Sequence, residues 1–238
     1  MTSSLHHRVV HAVGQPIATG LTPTGTVMLS DDVERTQGVS RSVAREAVRV
    51  LASMGLVESV KRVGIRVLPQ SRWNSFDPTL IRWRLDGPGR GAQLRSLTEL
   101  RASVEPMAAE LAAQYSPQPL SAELLTVAAQ MRTVGRAGEL ERFLQLDIHF
   151  HTLVLHGSGN EMFAKLDAVI AAVLSGRTEH GLMPAHPHET ALQWHVDVAD
   201  AIQGGHPARA RESMDLIMRR TITEVQSVWA ETPRLYLD

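Results

Sequence analysis

Apolar residues recur at three- and four-residue spacing over most of this 238-residue chain. From residue 93 onward the spacing predicts helices over roughly 93–115, 121–135, 138–157, 160–179, 189–203 and 206–230. Proline and glycine break them at Ser116 to Pro119, Gly135, Gly157 to Gly159, Pro184 to Pro187 and Gly204–Gly205. No strand alternation is sustained there, and helices joined by short loops make a bundle, a fold that builds sites from side chains facing its centre. Upstream the periods are shorter. A first helix is expected near 5–19, with Pro16 predicting an early stop or a kink. Ser30 to Glu34 reads as the capped start of a short helix that stops at Gly38, and Ser40 as the cap of the next, which Gly55 ends. Leu56 to Val60 and Ile65 to Leu68 are β-prone runs joined by Lys61-Arg62-Val63-Gly64, a hairpin tip with two cations.

The helix between Ser40 and Gly55 carries Arg41, Arg45 and Arg49 at four-residue intervals, so the three guanidinium groups fall on or near one side. Val43, Ala47, Val50, Leu51 and Met54 supply the apolar side. Such a helix is either a solvated surface helix or one that lays cations into a DNA major groove. A helix before the turn and a basic hairpin after it favour the second reading, since together they make a winged helix-turn-helix.

Charge and composition sharpen this. Residues 1–72 hold nine basic and five acidic residues, although the whole chain has a formal net charge of −1. A basic N-terminal module on an acidic remainder fits DNA binding confined to one end. The chain has no cysteine, which excludes disulfides and thiolate metal sites. No apolar run reaches membrane-spanning length and the N-terminus lacks a secretory pattern, so a cytoplasmic location without membrane contact is expected.

Val39-Ser40-Arg41, Arg45-Glu46-Ala47 and Gly55-Leu56-Val57 resemble the VSR…REA…GLV pattern of GntR-family transcriptional regulators, and Gly64 falls where that family keeps a wing glycine. The resemblance makes Ser40, Arg41, Ser42, Arg45, Arg49, Lys61, Arg62 and Gly64 the candidate DNA-binding set. Many members carry an arginine in the helix before the turn, where this chain has Asp31; that contact is absent or the helix sits differently. Further on, Leu97 to Arg101, Glu105-Pro106 and Ser158-Gly159-Asn160 resemble the FCD effector-binding domain of the FadR subfamily. Residues 69–92, rich in proline, glycine and tryptophan, resemble a segment of the members that respond to sugar acids such as gluconate or galactonate. The expected architecture is mainly α: a winged-helix domain at 1–70, a linker at 71–92 pinned by Trp73, Phe76 and Trp83, and an all-α FCD-like domain at 93–232.

Polar residues on apolar faces mark the candidate chemistry. Asp147 and His151, four apart and so about 40° apart around a helix, share a face with Phe143, Phe150 and Val154. His195 sits among Leu192, Val198, Ala199 and Ile202. A buried carboxylate needs a partner, and a carboxylate with imidazoles and no thiolate suits a divalent metal such as Zn²⁺, Ni²⁺ or Mn²⁺; hydrogen-bonded core residues are the alternative. The resemblance places Asp147, His151 and His195 at three metal-ligand positions of the family, with Ile217 at the fourth, where it cannot ligate. Arg101, on a face with Leu97, Val104 and Ala108, either pairs with Glu105 or receives an effector's carboxylate. His149 points to another face, and His186 and His188 lie in a proline-rich loop with no assigned role.

These readings predict a homodimeric, DNA-binding transcriptional regulator, by default a repressor, whose affinity for double-stranded operator DNA is modulated by a small carboxylate such as a sugar acid, held by Arg101, Asp147, His151 and His195. A metal-dependent hydrolase built on Asp147, His151 and His195 is the alternative, and a ligand-binding protein with a degenerate DNA head is a third.

Overall fold

Turn glycines and β-branched runs divide the first ninety residues into α1 (Thr2–Ala18), β1 (Val27–Met28), α2 (Ser30–Gln37), α3 (Arg41–Ser53), β2 (Val57–Val60), β3 (Gly64–Val67) and α4 (Pro78–Asp86). The coordinates are a computed structural model and describe residues 2–234. The strands form an antiparallel sheet in the order β1-β3-β2, with Glu58 opposite Arg66 and Val60 opposite Gly64. Gly38 ends α2 in the left-handed region at φ 61°, and its N–H donates to Glu34 O. Gly55 follows α3 at φ 75°, and a Cβ there would lie 2.1 Å from the Arg72 carbonyl oxygen.

Several local expectations are corrected. The helix α2 begins at Ser30 itself, with Leu29 in the cap position, so the serine does not cap it. Ser40 occupies the cap position of α3, but its hydroxyl lies 3.0 Å from Ser42 Oγ instead of accepting a backbone N–H. The buried side of α3 is Ala44, Ala47, Val48, Leu51 and Met54, while Val43 and Val50 are only half-buried. Small Ala44 hides this phase from a hydropathy reading, although it completes the 44, 47, 48, 51 spacing of a single face. Pro16 neither stops nor breaks α1, because it stands two residues from the helix end and forgoes one backbone hydrogen bond. The short β1 lies in a proline- and threonine-rich stretch and carries no alternation of its own.

Of residues 71–92, expected as a linker, 71–90 group with the N-terminal unit, and the chain divides between Arg90 and Gly91. Asp77 caps α4, accepting from Thr79 N at 2.8 Å and Leu80 N at 3.0 Å. Leu80 and Trp83 then join the core of Val9, Ile17, Leu51, Leu56 and Ile65. The contact is close: a Cβ on Gly14 would fall 2.4 Å from the Trp83 ring. Trp73 is held by its indole N–H, which donates to Leu68 O at 3.1 Å, whereas Phe76 is exposed and anchors nothing.

The second unit, Gly91–Pro233, is all helical. It comprises α5 (Arg90–Tyr115), α6 (Gln118–Ala137), α7 (Leu140–Gly157), α8 (Glu161–Ala164), α9 (Asp167–Glu179), α10 (Glu189–Gln203) and α11 (Pro207–Val225). The expected helix over 160–179 is thus two, of which Asn160 caps the first through Met162 N and Phe163 N. The last helix ends at Val225 and tightens into a 3₁₀ turn over Gln226–Val228. The helix α10 packs on α6 and α11, and α7 packs on α6 and α9. Their shared core runs from Leu124 and Met131 through Phe150 and Val154 to Leu174, Val198 and Met214. Alanines at 108, 109 and 112 of α5 and at 199 and 201 of α10 are buried in it.

Candidate functional site

In the N-terminal unit the predicted DNA-binding side chains of α3 face solvent: Ser40, Arg41, Ser42, Arg45 and Arg49 are all exposed. Arg49 is drawn back to Glu46 at 2.7 Å, which leaves Arg41 and Arg45 exposed and, among the described residues, in no ion pair. Lys61, Arg62 and Val63 form the exposed tip between β2 and β3, and Arg62 adopts φ 63°, a left-handed conformation that few non-glycine residues take. Gly64 has its own reason to be glycine. At φ 130° it backs onto β1, where a Cβ would come within 2.6 Å of Met28 O. Asp31 is exposed in the first turn of α2 and favours that positive helix end.

In the second unit, three helices converge on a buried polar cluster. Arg101 and Glu105 come from α5, Asp147 and His151 from α7, and His195 from α10; each is at most 5% exposed. Asp147 Oδ1 lies 3.3 Å from His151 Nε2 and 3.5 Å from His195 Nε2. One ligand atom from each of Asp147, His151 and His195 can be chosen so that all lie within 4.8 Å of one another. His195 Nδ1 donates to Ala191 O at 2.7 Å, which fixes the tautomer and turns a buried Nε2 lone pair, without a hydrogen-bond partner, toward the cluster. Arg101 donates from Nε to Glu105 Oε1 at 2.5 Å and from Nη2 to His151 Nε2 at 3.2 Å. Its Nη1 is buried with no partner. The pairing with Glu105 therefore holds, and it leaves one buried donor of Arg101 unused.

Electrostatics follow from this packing. Burial alone would raise the Glu105 pKa, but the Arg101 guanidinium and the His151 imidazole, whose Nδ1 is 2.6 Å away, reverse that and bring it down to about 2. Burial likewise opposes ionisation of Asp147, and the imidazoles of His151 and His195 beside it outweigh that and lower its pKa, holding the carboxylate ionised. For His151, burial favours the neutral ring, yet Glu105 and Asp147 shift its pKa upward. A carboxylate facing two imidazole nitrogens calls for a positive charge between them, either a proton or a metal ion. The orphaned His195 Nε2 fits a metal, and the Nδ1–carbonyl hydrogen bond behind it is the support that metal-bound imidazoles use.

The cluster opens into a half-open pocket of about 460 Å³, a volume that includes the solvent at its mouth. Its walls include residues to which the sequence reading assigned no site role: Arg177 on α9, Arg220 and Glu224 on α11, and His188, which also caps α10. Arg177 is 3% exposed and donates from Nη2 to Glu224 Oε2 at 3.2 Å, and Arg220 Nε donates to Glu224 Oε1 at 2.7 Å. Ile217 lines the same cavity and contributes only an apolar wall. His149 is outside it, exposed and 2.8 Å from Glu123.

The FCD domain model matches residues 96–220, which includes the whole cavity lining except Thr221 and Glu224. The Escherichia coli K12 HTH-type transcriptional regulator YieP is 28% identical over 202 residues, covering 84% of this chain and 86% of that protein. The galactonate operon transcriptional repressor of the same strain is 26% identical over 206 residues, covering 85% and 89%. The solved structure of Streptococcus agalactiae GntR aligns with a TM-score of 0.50 at 21% identity, over 95% of this chain and 99% of that one. These relatives are regulators, and they lend nothing to the hydrolase alternative. Among the described residues no helix is long and apolar enough to cross a membrane. A winged helix with exposed arginines, joined to an FCD bundle that carries a buried polar cluster, places the chain in the FCD-domain family as a GntR-type, DNA-binding transcriptional regulator.

Proposed function

We propose that this regulator is a dimeric repressor released from its operator by a small carboxylate, of which a sugar acid is the leading class. The observation that carries the effector reading is the pair of orphaned buried groups on one cavity wall, Arg101 Nη1 and His195 Nε2. A guanidinium with a spare donor receives a carboxylate oxygen, and polar groups left unsatisfied in the empty protein are satisfied when that ligand enters. A relative 26% identical represses a galactonate operon, which supports the sugar-acid class.

Asp147, His151 and His195 would hold a divalent ion at the cavity's inner end. Such an ion supplies a fixed positive charge and positions for the carboxylate and neighbouring hydroxyl oxygens of the effector. The chain's own residues orient it: Ala191 O sets the His195 ring, and Glu105, beside Nδ1, braces His151.

On the DNA side, Arg41 and Arg45, with Ser40 and Ser42 at the start of α3, enter the major groove, and Lys61 and Arg62 of the wing reach the backbone. One winged helix reads a half-site, so two copies match a palindromic operator. The effector releases DNA only to the extent that it binds the DNA-free state more tightly.

The test is fluorescence anisotropy with the intergenic DNA upstream of the gene, over a salt series, with and without a panel including gluconate and galactonate. Salt-sensitive binding that one acid weakens is expected. Binding no tighter than to random DNA at every salt would overturn the operator reading, and binding indifferent to every acid would overturn the effector reading.

A further inference from the structure

The cavity has a second cationic element that a single carboxylate does not use. Its lining contains three guanidinium groups, Arg101, Arg177 and Arg220, against two carboxylates, Asp147 and Glu224. Arg101 comes from α5 beside the Asp147–His151–His195 cluster, whereas Arg177 and Arg220 come from α9 and α11. Glu224 is shared: it accepts from Arg177 Nη2 at 3.2 Å through one oxygen and from Arg220 Nε at 2.7 Å through the other. Two arginines on one carboxylate leave a surplus positive charge in that part of the wall.

Arg177 is the informative member of the pair. It is 97% buried, and its Nε has no hydrogen-bond partner although no solvent reaches it. Burying a guanidinium this deeply is costly unless it is fully matched, and a fork with a spare N–H is built for an oxyanion. The repulsion it shares with Arg101 adds to that cost, and both burial and Arg101 push its pKa down. The neighbouring wall positions Leu174 and Ile217 are apolar.

Building on the carboxylate reading above, we infer that the effector is a dianion: one carboxylate at Arg101 and the Asp147–His151–His195 cluster, and a second anionic group, carboxylate or phosphate, at Arg177 and Arg220. A sugar diacid and a phosphorylated sugar acid share this chemistry. A plain monoacid leaves the Arg177 Nε unsatisfied. Arg220, half-exposed, completes the grip at the outer side without the burial cost that Arg177 bears.

The experiment is calorimetric titration of the full-length protein with matched pairs: gluconate against glucarate, galactonate against galactarate, and 6-phosphogluconate as the phosphate arm. At least one dianion is expected to bind about tenfold or more tightly than its monoacid, from one added charge-assisted contact. Which arm binds separates the diacid from the phosphorylated source. Arg177→Met should bring that ratio toward one, Arg177→Lys should keep part of it, and thermal melts of the free variants report whether they fold. If Arg177→Met does not fold, Arg220→Met, at a half-exposed position, serves the same purpose and should reduce the ratio less. A monoacid binding as tightly as its dianion, or a ratio unchanged in the folded variants, overturns the dianion proposal while leaving the carboxylate reading intact. Binding of none of the five acids overturns both.

Discussion

The imidazole of His195 donates through Nδ1 to the carbonyl oxygen of Ala191, one turn earlier on the same helix, at 2.7 Å. That bond spends the ring's one proton on the backbone and commits the unprotonated Nε2 to the cavity, 3.5 Å from Asp147. If a metal is held there, His195→Ala should weaken it beyond the roughly 10–100-fold that loss of an outer partner costs. His149→Ala, at an exposed position, should have no effect. Metal content after dialysis against a weak chelator checks this, and equal retention in the two variants would refute the assignment. Stripping the metal should also lower the melting point, since an ion present at a hundred times its Kd stabilises by about 2.7 kcal/mol.

Glu105 ties stability to acid. Its carboxyl pKa is lowered from 4.5 to about 2 in the folded chain. A depressed carboxylate contributes stability that is present above its unfolded pKa and lost as pH falls through the folded one. The window is therefore pH 4.5 down to 2, and the contribution at stake is roughly 3 kcal/mol. Denaturant titrations of the metal-free protein should show the second unit losing stability across this window. Glu105→Gln should be less stable at neutral pH, because Arg101 loses its partner, and should lose less on acidification. A variant with an acid limb as steep as the parent's would show that Glu105 does not set it.

What the sequence disclosed and what it hid have physical reasons. The winged helix was legible because its turns need glycine at Gly38, Gly55 and Gly64, each at positive φ, and its cations fall at a helical period. Asp147, His151 and His195 were legible because a charge on an apolar stripe has no cheap explanation. Arg177 was not. It stands in the last turn of α9, where a cation suits the helix dipole anyway, and only its spacing from buried Val173 and Leu174 marks it as inward-facing. Arg220 and Glu224 read as an ordinary i,i+4 surface pair, and only the fold shows that α11 turns them toward the cavity.

Arg62 separates backbone strain from charge. A non-glycine residue at φ 63° costs about 1–2 kcal/mol, a cost that glycine avoids while adding some chain entropy of its own. Arg62→Gly should leave the N-terminal unit as stable or up to about 1 kcal/mol more stable, yet weaken DNA binding and reduce the salt slope by about one. Loss of stability with DNA affinity intact would mean that the wing arginine serves the fold instead of the phosphate backbone.

Gly55 lets the chain leaving α3 pass close against the Arg72–Trp73 backbone. Any side chain there would meet the Arg72 carbonyl at 2.1 Å and would also have to adopt φ 75°. Gly55→Ala should cost on the order of 2 kcal/mol or more, because backbone must move and the left-handed conformation is penalised as well. The loss should fall on the N-terminal unit, read by hydrogen exchange of α3 amides, with α7 and α10 protection unchanged. Uniform loss across both units would show that the two do not unfold separately.

Ile217 offers the sharpest test of the metal reading, because it shares the cavity with three potential ligands and contributes none. At 5% exposure it brings an apolar side chain of imidazole-like bulk to the wall. Ile217→His would add a fourth nitrogen donor to the Asp147–His151–His195 set. A ligand gained at a site that otherwise leaves positions for effector oxygens should tighten metal retention at least about tenfold, as outer-partner changes alone can alter it by that much. It should also weaken the acid effector, which then competes for fewer open positions. Chelator competition measures the first effect and calorimetry the second. Tighter metal with weaker effector is the expected pair. Unchanged metal affinity in a folded variant would mean that residue 217 does not point at the ion, and tighter metal with unchanged effector affinity would mean that the acid is held by arginines alone.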